Sequence, residues 1–312
     1  MNDLIDTAGA EVRRPAVLIG LIGEGVIPSL TPPMHEFEGA RHEMHYVYRP
    51  IDLAEGEATE ENIAQLLWAA RRMGFTGLNI THPIKQAVIA HLHELATSAR
   101  TVGAVNTVVF DGDRMVGHNT DVTGFGAAFD DAFGSDARGR VILIGAGGAG
   151  AAVASALAGR EVRELVIVDV DLERAEALAS GVRGSANGEV RAARLEDLPQ
   201  WIDGADGVVN ATPWGMAAHP GTAFDTELLS PTMFVADIVY RPAETELLKR
   251  AKARGCRTMS GLGMAMHQAA DAFEIFTGQP ADRAAMLSDL QTLVAAEASG
   301  NPAPVAPKRG TN

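Results

Sequence analysis

The chain has 312 residues, of which 46% are hydrophobic, and its formal charge is −14 from 26 basic and 40 acidic residues. This length allows two domains of ordinary size with substantial cores. The negative charge argues against nucleic acid or an anionic membrane surface as a partner. A single cysteine, Cys256, excludes an intrachain disulfide. Because we find neither an apolar span of membrane length nor a signal-peptide core, we expect a soluble, cytoplasmic protein.

Short β-type runs alternate with helical segments, a pattern typical of a parallel α/β architecture. The first half predicts strands over 17–21, 44–48 and 77–81, and helices from Pro32, over 60–73 and over 84–92. A hairpin is expected from 105 to 118 around Asp111-Gly112-Asp113. Residues 1–14 are polar and aperiodic and 299–312 are rich in proline, so both are expected to be flexible termini.

The second half begins near Asp121 with a predicted helix that contains Phe125, Phe129 and Phe133. Strands are then expected over 140–144, 165–168, 207–210, 234–239 and 256–259. Two long helices, over 264–276 and 283–296, close the chain. The histidines beside the motifs have no second ligand at metal spacing, so no metal site is predicted.

A glycine-rich turn joins the strand over 140–144 to an alanine-rich helix. Gly145, Gly147 and Gly150 match G-x-G-x-x-G with a strand before and a helix after, the context that a dinucleotide site requires. The free N–H groups at the start of the helix would receive a pyrophosphate. The predicted cofactor loop consists of Gly145, Ala146, Gly147, Gly148, Ala149 and Gly150. The alternative is a glycine–alanine turn that binds nothing.

Asp169 lies at the end of the next strand, close to the roughly 20-residue offset expected for a ribose-binding acid. Its carboxylate would accept both ribose hydroxyls of NAD and would repel the 2′-phosphate of NADP. Arg174 lies one helical turn further on and could reach this region, so exclusion of NADP need not be complete. For Asp171, the alternative interpretation is an N-cap of the following helix.

Lys85 ends the segment Asn79-Ile-Thr-His-Pro-Ile-Lys85, where an apolar run turns at a proline. This position would aim a lysine away from bulk solvent and make it a candidate proton carrier. Read from the residues alone, an exposed lysine on a helix is the competing interpretation. Similarly, Ser29, Thr31 and Asp121 could simply cap helices, and Asn106 and Asn119 could satisfy buried backbone groups.

Several segments together resemble the shikimate/quinate dehydrogenase family, in family order from about residue 18 to 278. They are Ser29-Leu-Thr31-Pro-Pro-Met-His35, the segment ending at Lys85, Gly103-Ala-Val-Asn106-Thr, Gly117-His-Asn119-Thr-Asp121, the glycine loop, Asn210-Ala-Thr-Pro-Trp-Gly-Met216, Asp237-Ile-Val-Tyr240-Arg-Pro and Gly263-Met-Ala-Met-His-Gln268. The Lys85 and Asp121 segments are the most specific pair.

The resemblance implies a substrate domain over 15–121 plus 263–298, with a mostly parallel sheet and closing C-terminal helices that pack back on it. A Rossmann domain for NAD over 122–262 would be inserted between these parts. Lys85 and Asp121 would be the catalytic pair. The residues implied for substrate are Ser29, Thr31, Thr81, Asn106, Asn119, Tyr240 and Gln268. Thr212, Pro213 and Gly261 would join the glycine loop, Asp169 and Arg174 at the cofactor.

The resemblance predicts an NAD-dependent enzyme that oxidises quinate, shikimate or both at the C3 hydroxyl, acting as a monomer or homodimer. Thr31, where many biosynthetic members have serine, and the acidic Asp169 resemble the branch that prefers NAD. The alternatives are a biosynthetic enzyme that reduces 3-dehydroshikimate and, in another class, a non-catalytic NAD- or ligand-sensing module.

Overall fold

A computed structural model describes residues 16–134 and 138–301. Its first sheet has six strands in the order β2-β1-β3-β5-β6-β4. Only β5 runs antiparallel to its neighbours, so the expected mostly parallel sheet is confirmed. The strands are β1 Ala16–Glu24, β2 His45–Leu53, β3 Gly77–Ile80, β4 Glu94–Leu95, β5 Thr107–Asp111 and β6 Arg114–His118.

The second sheet is parallel throughout, and its six strands follow the order β12-β11-β10-β7-β8-β9. This is the strand order of a dinucleotide-binding Rossmann sheet, whose ligands bind beyond the carboxyl ends of the strands. The strands are β7 Arg138–Ile144, β8 Val162–Asp169, β9 Glu189–Arg194, β10 Gly207–Asn210, β11 Phe234–Asp237 and β12 Arg257–Met259.

Helices cover both sheets. They are α1 Thr31–Arg41, α2 Glu60–Arg72, α3 Thr97–Val102, α4 Thr120–Phe133, α5 Gly148–Ala158, α6 Leu172–Arg183, α7 Leu198–Ile202, α8 Glu246–Ala253, α9 Gly261–Thr277 and α10 Arg283–Ala298. Short 3₁₀ helices span Ala87–His91, Leu195–Asp197 and Thr226–Leu228. Within the described ranges, no helix has the length and apolarity needed to cross a bilayer.

The closing helices pack back on the first sheet, as expected. Phe273 and Phe276 of α9 are buried with Ile19 of β1, and Leu290 of α10 is buried with Met34 of α1. The expected domain limits at 121/122 and 262/263 stay a prediction; they fall inside α4 and α9. The expected flexible termini lie mainly outside the described residues, of which 299–301 follow α10.

The prediction of a helix over 84–92 is wrong. Residues 82–86 form turns, and only the 3₁₀ helix Ala87–His91 follows. The carbonyl of Lys85 accepts the N–H of Val105 at 2.8 Å. A regular α-helix would need that carbonyl for the N–H four residues later. Lys85 is therefore held in a turn by a long-range hydrogen bond that no local pattern reports.

The sequence analysis missed strands β4 and β9, helices α3, α7 and α8, and the 3₁₀ helices at 195–197 and 226–228. Strand β9 is an edge strand, with the exposed, charged Glu189, Arg191 and Arg194 around the buried Val190. Helix α8, capped by Thr245, is short and rich in charge. Strand β4 and helix α3 span 2 and 6 residues, too short to give a clear period. These misses leave the expected α/β class unchanged.

His35 of α1 is fully buried, between the first sheet and α9. Its Nδ1 lies 2.9 Å from the Tyr46 hydroxyl, and its ring centroid lies 5.0 Å from that of Tyr48. Burial lowers the pKa of His35 from 6.5 to about 3. The folded protein therefore holds a neutral imidazole under conditions in which the unfolded chain binds a proton.

This difference predicts a loss of stability in mild acid. Between the unfolded pKa of 6.5 and the folded value of about 3, the unfolded state binds one more proton, so stability falls as pH falls. From about pH 7.5 to about pH 5 the contribution of this group is about 2 kcal/mol. Urea unfolding of H35F at both pH values should lack this part of the pH dependence.

The matched control is H45Q, which removes an exposed histidine at the start of β2. H45Q should keep the wild-type pH dependence. An equal pH dependence in H35F and the wild type would contradict the assignment.

Candidate active site

The structure brings Lys85 and Asp121 together. Lys85 Nζ lies 2.6 Å from Asp121 Oδ2, and their side chains are 25% and 14% exposed. Lys85 comes from the turn after β3, and Asp121 lies in the first turn of α4. The positive end of the α4 dipole favours a carboxylate at this place. A partly desolvated lysine and its partner carboxylate thus meet where the two sheets approach each other.

Asn119 sets the start of α4. Its Oδ1 accepts the N–H groups of Asp121 and Val122 at 3.1 and 3.3 Å, and its Nδ2 donates to the Ala104 carbonyl. The side chain is buried and does not line the cavity beside Lys85. The structure therefore gives Asn119 a capping role, and its predicted contact with substrate stays a prediction.

Asn106 anchors α4 to the first sheet. Its Oδ1 accepts the Thr120 N–H at 2.8 Å, and its Nδ2 donates to Thr120 Oγ1 at 2.9 Å. Asn79 donates to the Asn106 carbonyl and to Thr107 Oγ1, and accepts the Tyr48 hydroxyl at 2.6 Å. The roles of Asn79 and Tyr48 were missed, although Asn79 opens the Lys85 segment. Buried polar groups in such a network fix one another's orientation.

A first cavity of about 450 Å³ has Lys85, Asp121, Asn79 and Asn106 on its walls. It is lined by residues of the first sheet, of the loop after β11 and of α9. The predicted residues on its walls are Ser29, Thr31, Thr81, Lys85, Asn106, Asp121, Tyr240, Gly261 and Gln268. The structure therefore gathers the predicted catalytic pair and every predicted substrate residue except Asn119. Gly261, predicted at the cofactor, lies on this wall.

A second cavity of about 600 Å³ lies beside the glycine loop. Its walls include Gly147, Gly148, Ala149, Thr212 and Pro213, all predicted at the cofactor. Met216, Ile238, Tyr240 and Arg241 line both cavities, so the two are neighbours with a common wall.

The glycine loop has the shape that a pyrophosphate requires. Gly145 has φ +105°, and a Cβ there would lie 2.9 Å from the Ala211 backbone. A Cβ on Gly150 would lie 2.0 Å from the Gly145 carbonyl oxygen. Around Gly147 and Gly148 a Cβ would meet nothing within 4 Å, which leaves their backbone open to a ligand. These residues fit a dinucleotide.

Asp169 connects the end of β8 to this loop. Its Oδ2 accepts the Ala146 N–H at 2.7 Å, and its Oδ1 accepts the Asp171 N–H at 3.0 Å. A carboxylate has about four acceptor sites, so ribose hydroxyls can still be accepted. Asp171 caps α6 through the N–H groups of Glu173 and Arg174, as the alternative interpretation held. The Arg174 guanidinium lies 3.6 Å from Asp171 Oδ2.

A buried network that the sequence reading gave no role supports the second cavity. Asn210 Nδ2 donates to Asp237 Oδ1 at 2.9 Å, and Thr245 donates to Asp237 Oδ2 at 2.6 Å. Burial raises the pKa of Asp237, which the hydrogen bonds from Thr245, Val239 and Asn210 oppose. Asn210 also holds Thr212 on the cavity wall at 2.7 Å. The sequence does contain a sign of this network, because the adjacent buried strands β10 and β11 each end in a polar residue.

No three His, Cys, Asp or Glu side chains of the described ranges are grouped so as to hold a metal ion. The groups that can carry chemistry on the walls of the two cavities are the lysine–carboxylate pair, the hydroxyl and amide groups around it, and the glycine loop.

Three family models match the chain. They describe a shikimate dehydrogenase substrate binding domain over residues 21–108, a shikimate/quinate 5-dehydrogenase over 129–220 and a shikimate 5′-dehydrogenase C-terminal domain over 261–291. Their order along the chain is that of the two sheets and the closing helices.

Similar proteins carry both cofactor names. The shikimate dehydrogenase (NADP(+)) of Pseudarthrobacter chlorophenolicus is 51% identical over 91% of this chain and 98% of its own. The quinate/shikimate dehydrogenase (NAD(+)) of Corynebacterium efficiens is 49% identical over 87% of this chain and 96% of its own. The solved quinate dehydrogenase from Corynebacterium glutamicum in complex with NAD superposes with a TM-score of 0.84 at 47% identity, covering 88% and 98% of the two chains.

The fold and these similarities define the class of the protein. It is an oxidoreductase that acts on a CH–OH group and uses a nicotinamide dinucleotide. Within that class, the chain belongs to the shikimate/quinate dehydrogenase family, which confirms the family resemblance of the motifs.

The contacts of Asp169 generate a prediction about the loop. D169A removes the acceptor of two backbone N–H groups, and each hydrogen bond to a charged group contributes about 1.5–3 kcal/mol. We expect a loss of about 3 kcal/mol in the free energy of urea unfolding. D171A, the control, loses a helix cap worth about 1 kcal/mol and an exposed ion pair with Arg174 that contributes little. Equal losses in the two variants would show that Asp169 does not organise the loop.

Proposed function

We propose that the chain catalyses the reversible, NAD-dependent oxidation of quinate, shikimate or both at the C3 hydroxyl to the 3-dehydro compound. In this proposal residues 15–121 and 263–298 bind the substrate, and residues 122–262 bind the cofactor. The observation that carries the choice of NAD is the acidic end of β8, where Asp169 and Asp171 flank the exposed Val170. Two carboxylates there oppose a 2′-phosphate.

The lysine–carboxylate pair suits the proton transfer that alcohol oxidation requires. A secondary alcohol becomes a ketone by losing a hydride from carbon and a proton from oxygen. A nicotinamide dinucleotide held at the glycine loop by Gly147 and Gly148 would supply the hydride acceptor. Neutral Lys85 accepts the hydroxyl proton, and Asp121, 2.6 Å from Nζ, holds the resulting ammonium in place. In the reverse direction the charged Lys85 returns the proton to the carbonyl oxygen.

The other end of the first cavity suits a carboxylate. Ser29, Thr31 and Tyr240 bring hydroxyl groups to its wall, and each hydrogen bond to a charged acceptor contributes about 1.5–3 kcal/mol. Ser29 Oγ accepts the Thr31 N–H at 3.3 Å, which leaves its own proton for a ligand. A hydroxylated ring acid with its carboxylate here and its reacting hydroxyl at Lys85 would span the cavity.

The biosynthetic alternative predicts NADP as the cofactor, and an NADP-named relative at 51% identity favours it. Arg174 is the basic residue that this alternative requires, yet it is half exposed and near Asp171. The non-catalytic sensing module conflicts with membership of an enzyme family and with the assembled Lys85–Asp121 pair.

A comparison of cofactors tests the proposal. Purified protein should oxidise quinate or shikimate with a kcat/KM at least about tenfold higher for NAD than for NADP, equivalent to about 1.4 kcal/mol. The measurement is coenzyme reduction at saturating substrate with each of the four pairs. A preference for NADP, with shikimate alone oxidised, would establish the biosynthetic alternative instead.

Replacement of the lysine tests the proton transfer. K85M should lower kcat about 10²- to 10⁴-fold, the usual contribution of a positioned acid or base, and cofactor binding should persist. The control is K249M, which changes an exposed lysine of α8. A K85M variant with wild-type turnover would refute the catalytic assignment.

A further inference from the structure

Arg241 joins three parts of the molecule that are distant in sequence. It follows β11, and its Nη1 donates to the Pro28 carbonyl at 3.1 Å. Its Nε donates to Glu297 Oε2 of α10 at 2.6 Å, and its Nη2 pairs with the other oxygen of the same carboxylate. The guanidinium therefore connects the loop after β11, the loop before α1 and the last helix.

These contacts lie directly behind the groups proposed to hold the substrate carboxylate. Pro28 immediately precedes Ser29, and Tyr240 immediately precedes Arg241. The guanidinium charge beside Tyr240 opposes the rise that burial causes in the pKa of Tyr240. One side chain thus connects the Ser29 loop and Tyr240, both proposed to hold the carboxylate.

The chemistry of the contact requires arginine. The bidentate pair with Glu297 fixes the plane of the guanidinium, and the remaining N–H groups then point in set directions. A lysine ammonium is a single point charge on a flexible stem and cannot hold Glu297 with two parallel bonds while also reaching Pro28. Arg241 is 29% exposed, so these bonds are partly protected from water.

We propose that Arg241 is a positioning residue for the substrate carboxylate: it holds the Ser29 loop and Tyr240 at a fixed separation across the cleft. This inference rests on the proposed function, in which the carboxylate lies at Ser29, Thr31 and Tyr240. Arg241 itself acts through these residues. Its loss should weaken substrate binding more than it slows the chemical step, because its hydrogen bonds go to Pro28 and Glu297 and not to Lys85 or Asp121.

The main test is R241M, which keeps much of the aliphatic stem and removes the hydrogen-bond donors. We expect the KM for quinate or shikimate to rise about tenfold, as for the loss of one good hydrogen bond. The kcat should change less than about threefold, which is about half of a tenfold step on the free-energy scale. R241K should not restore the KM.

Arg254 provides a matched control. It pairs with Glu227 and donates to the carbonyls of Leu229 and Glu227, and its side chain is 32% exposed. None of these residues lines either described cavity. R254M should therefore leave the substrate KM unchanged. If R241M and R254M raise the KM equally, the positioning role is overturned. If R241M does not fold, E297Q is the second variant. It weakens the pair between Glu297 of α10 and Arg241, and it should also raise the substrate KM.

S29A separates this inference from the proposed function. If S29A leaves the substrate KM unchanged, the placement of the carboxylate is wrong. If S29A raises the KM and R241M does not, the placement stands and the role of Arg241 is overturned. If both raise it, the S29A/R241M double variant should show less than the product of the two effects, because Arg241 acts through the Ser29 loop. A rise in KM equal to the product of the two single effects would contradict an action of Arg241 through the Ser29 loop.

Discussion

The close packing of α4 against α9 fixes the geometry of the cleft. A Cβ on Gly124 of α4 would lie 2.7 Å from the Gln268 backbone nitrogen, and a Cβ on Gly263 of α9 would lie 3.1 Å from Ala128. Glycine at these two positions allows α4 and α9 to approach so closely. Asp121 lies in the first turn of α4 and Gln268 lies on α9, so this contact sets the distance between two walls of the active site. The same helices send Phe129 into the core of the second sheet and Phe273 into that of the first.

Much of the architecture could be predicted because it depends on local sequence. Buried parallel strands such as β7 and β8 contain continuous apolar runs, over 141–144 and 165–168, and the turn at Gly145 needs a positive φ that glycine adopts readily. The pairing of Lys85 with Asp121 is different: they are 36 residues apart and come from separate elements. Their sequence positions allowed other roles, and only resemblance to a family joined them.

The rest depends on contacts between residues far apart in the chain. The turn at Lys85 follows from a hydrogen bond to Val105, and the orientation of Asn79 depends on Tyr48 and Thr107. Asp169 was expected to accept ribose hydroxyls of the cofactor. In the structure its carboxylate also accepts the backbone N–H groups of Ala146 and Asp171. Local propensity contains none of these pairings. They emerge only when buried polar groups compete for partners inside the folded molecule.

The common wall of the two cavities has a thermodynamic consequence. Met216, Ile238, Tyr240 and Arg241 line both, so a ligand that immobilises them in one cavity changes the free energy of binding in the other. Such coupling is reciprocal: whatever factor the dinucleotide contributes to the affinity for the ring acid, the ring acid returns to the dinucleotide. With the ring acid and the dinucleotide in these two cavities, as proposed, they are linked ligands, and the affinity measured for either one depends on whether the other is present.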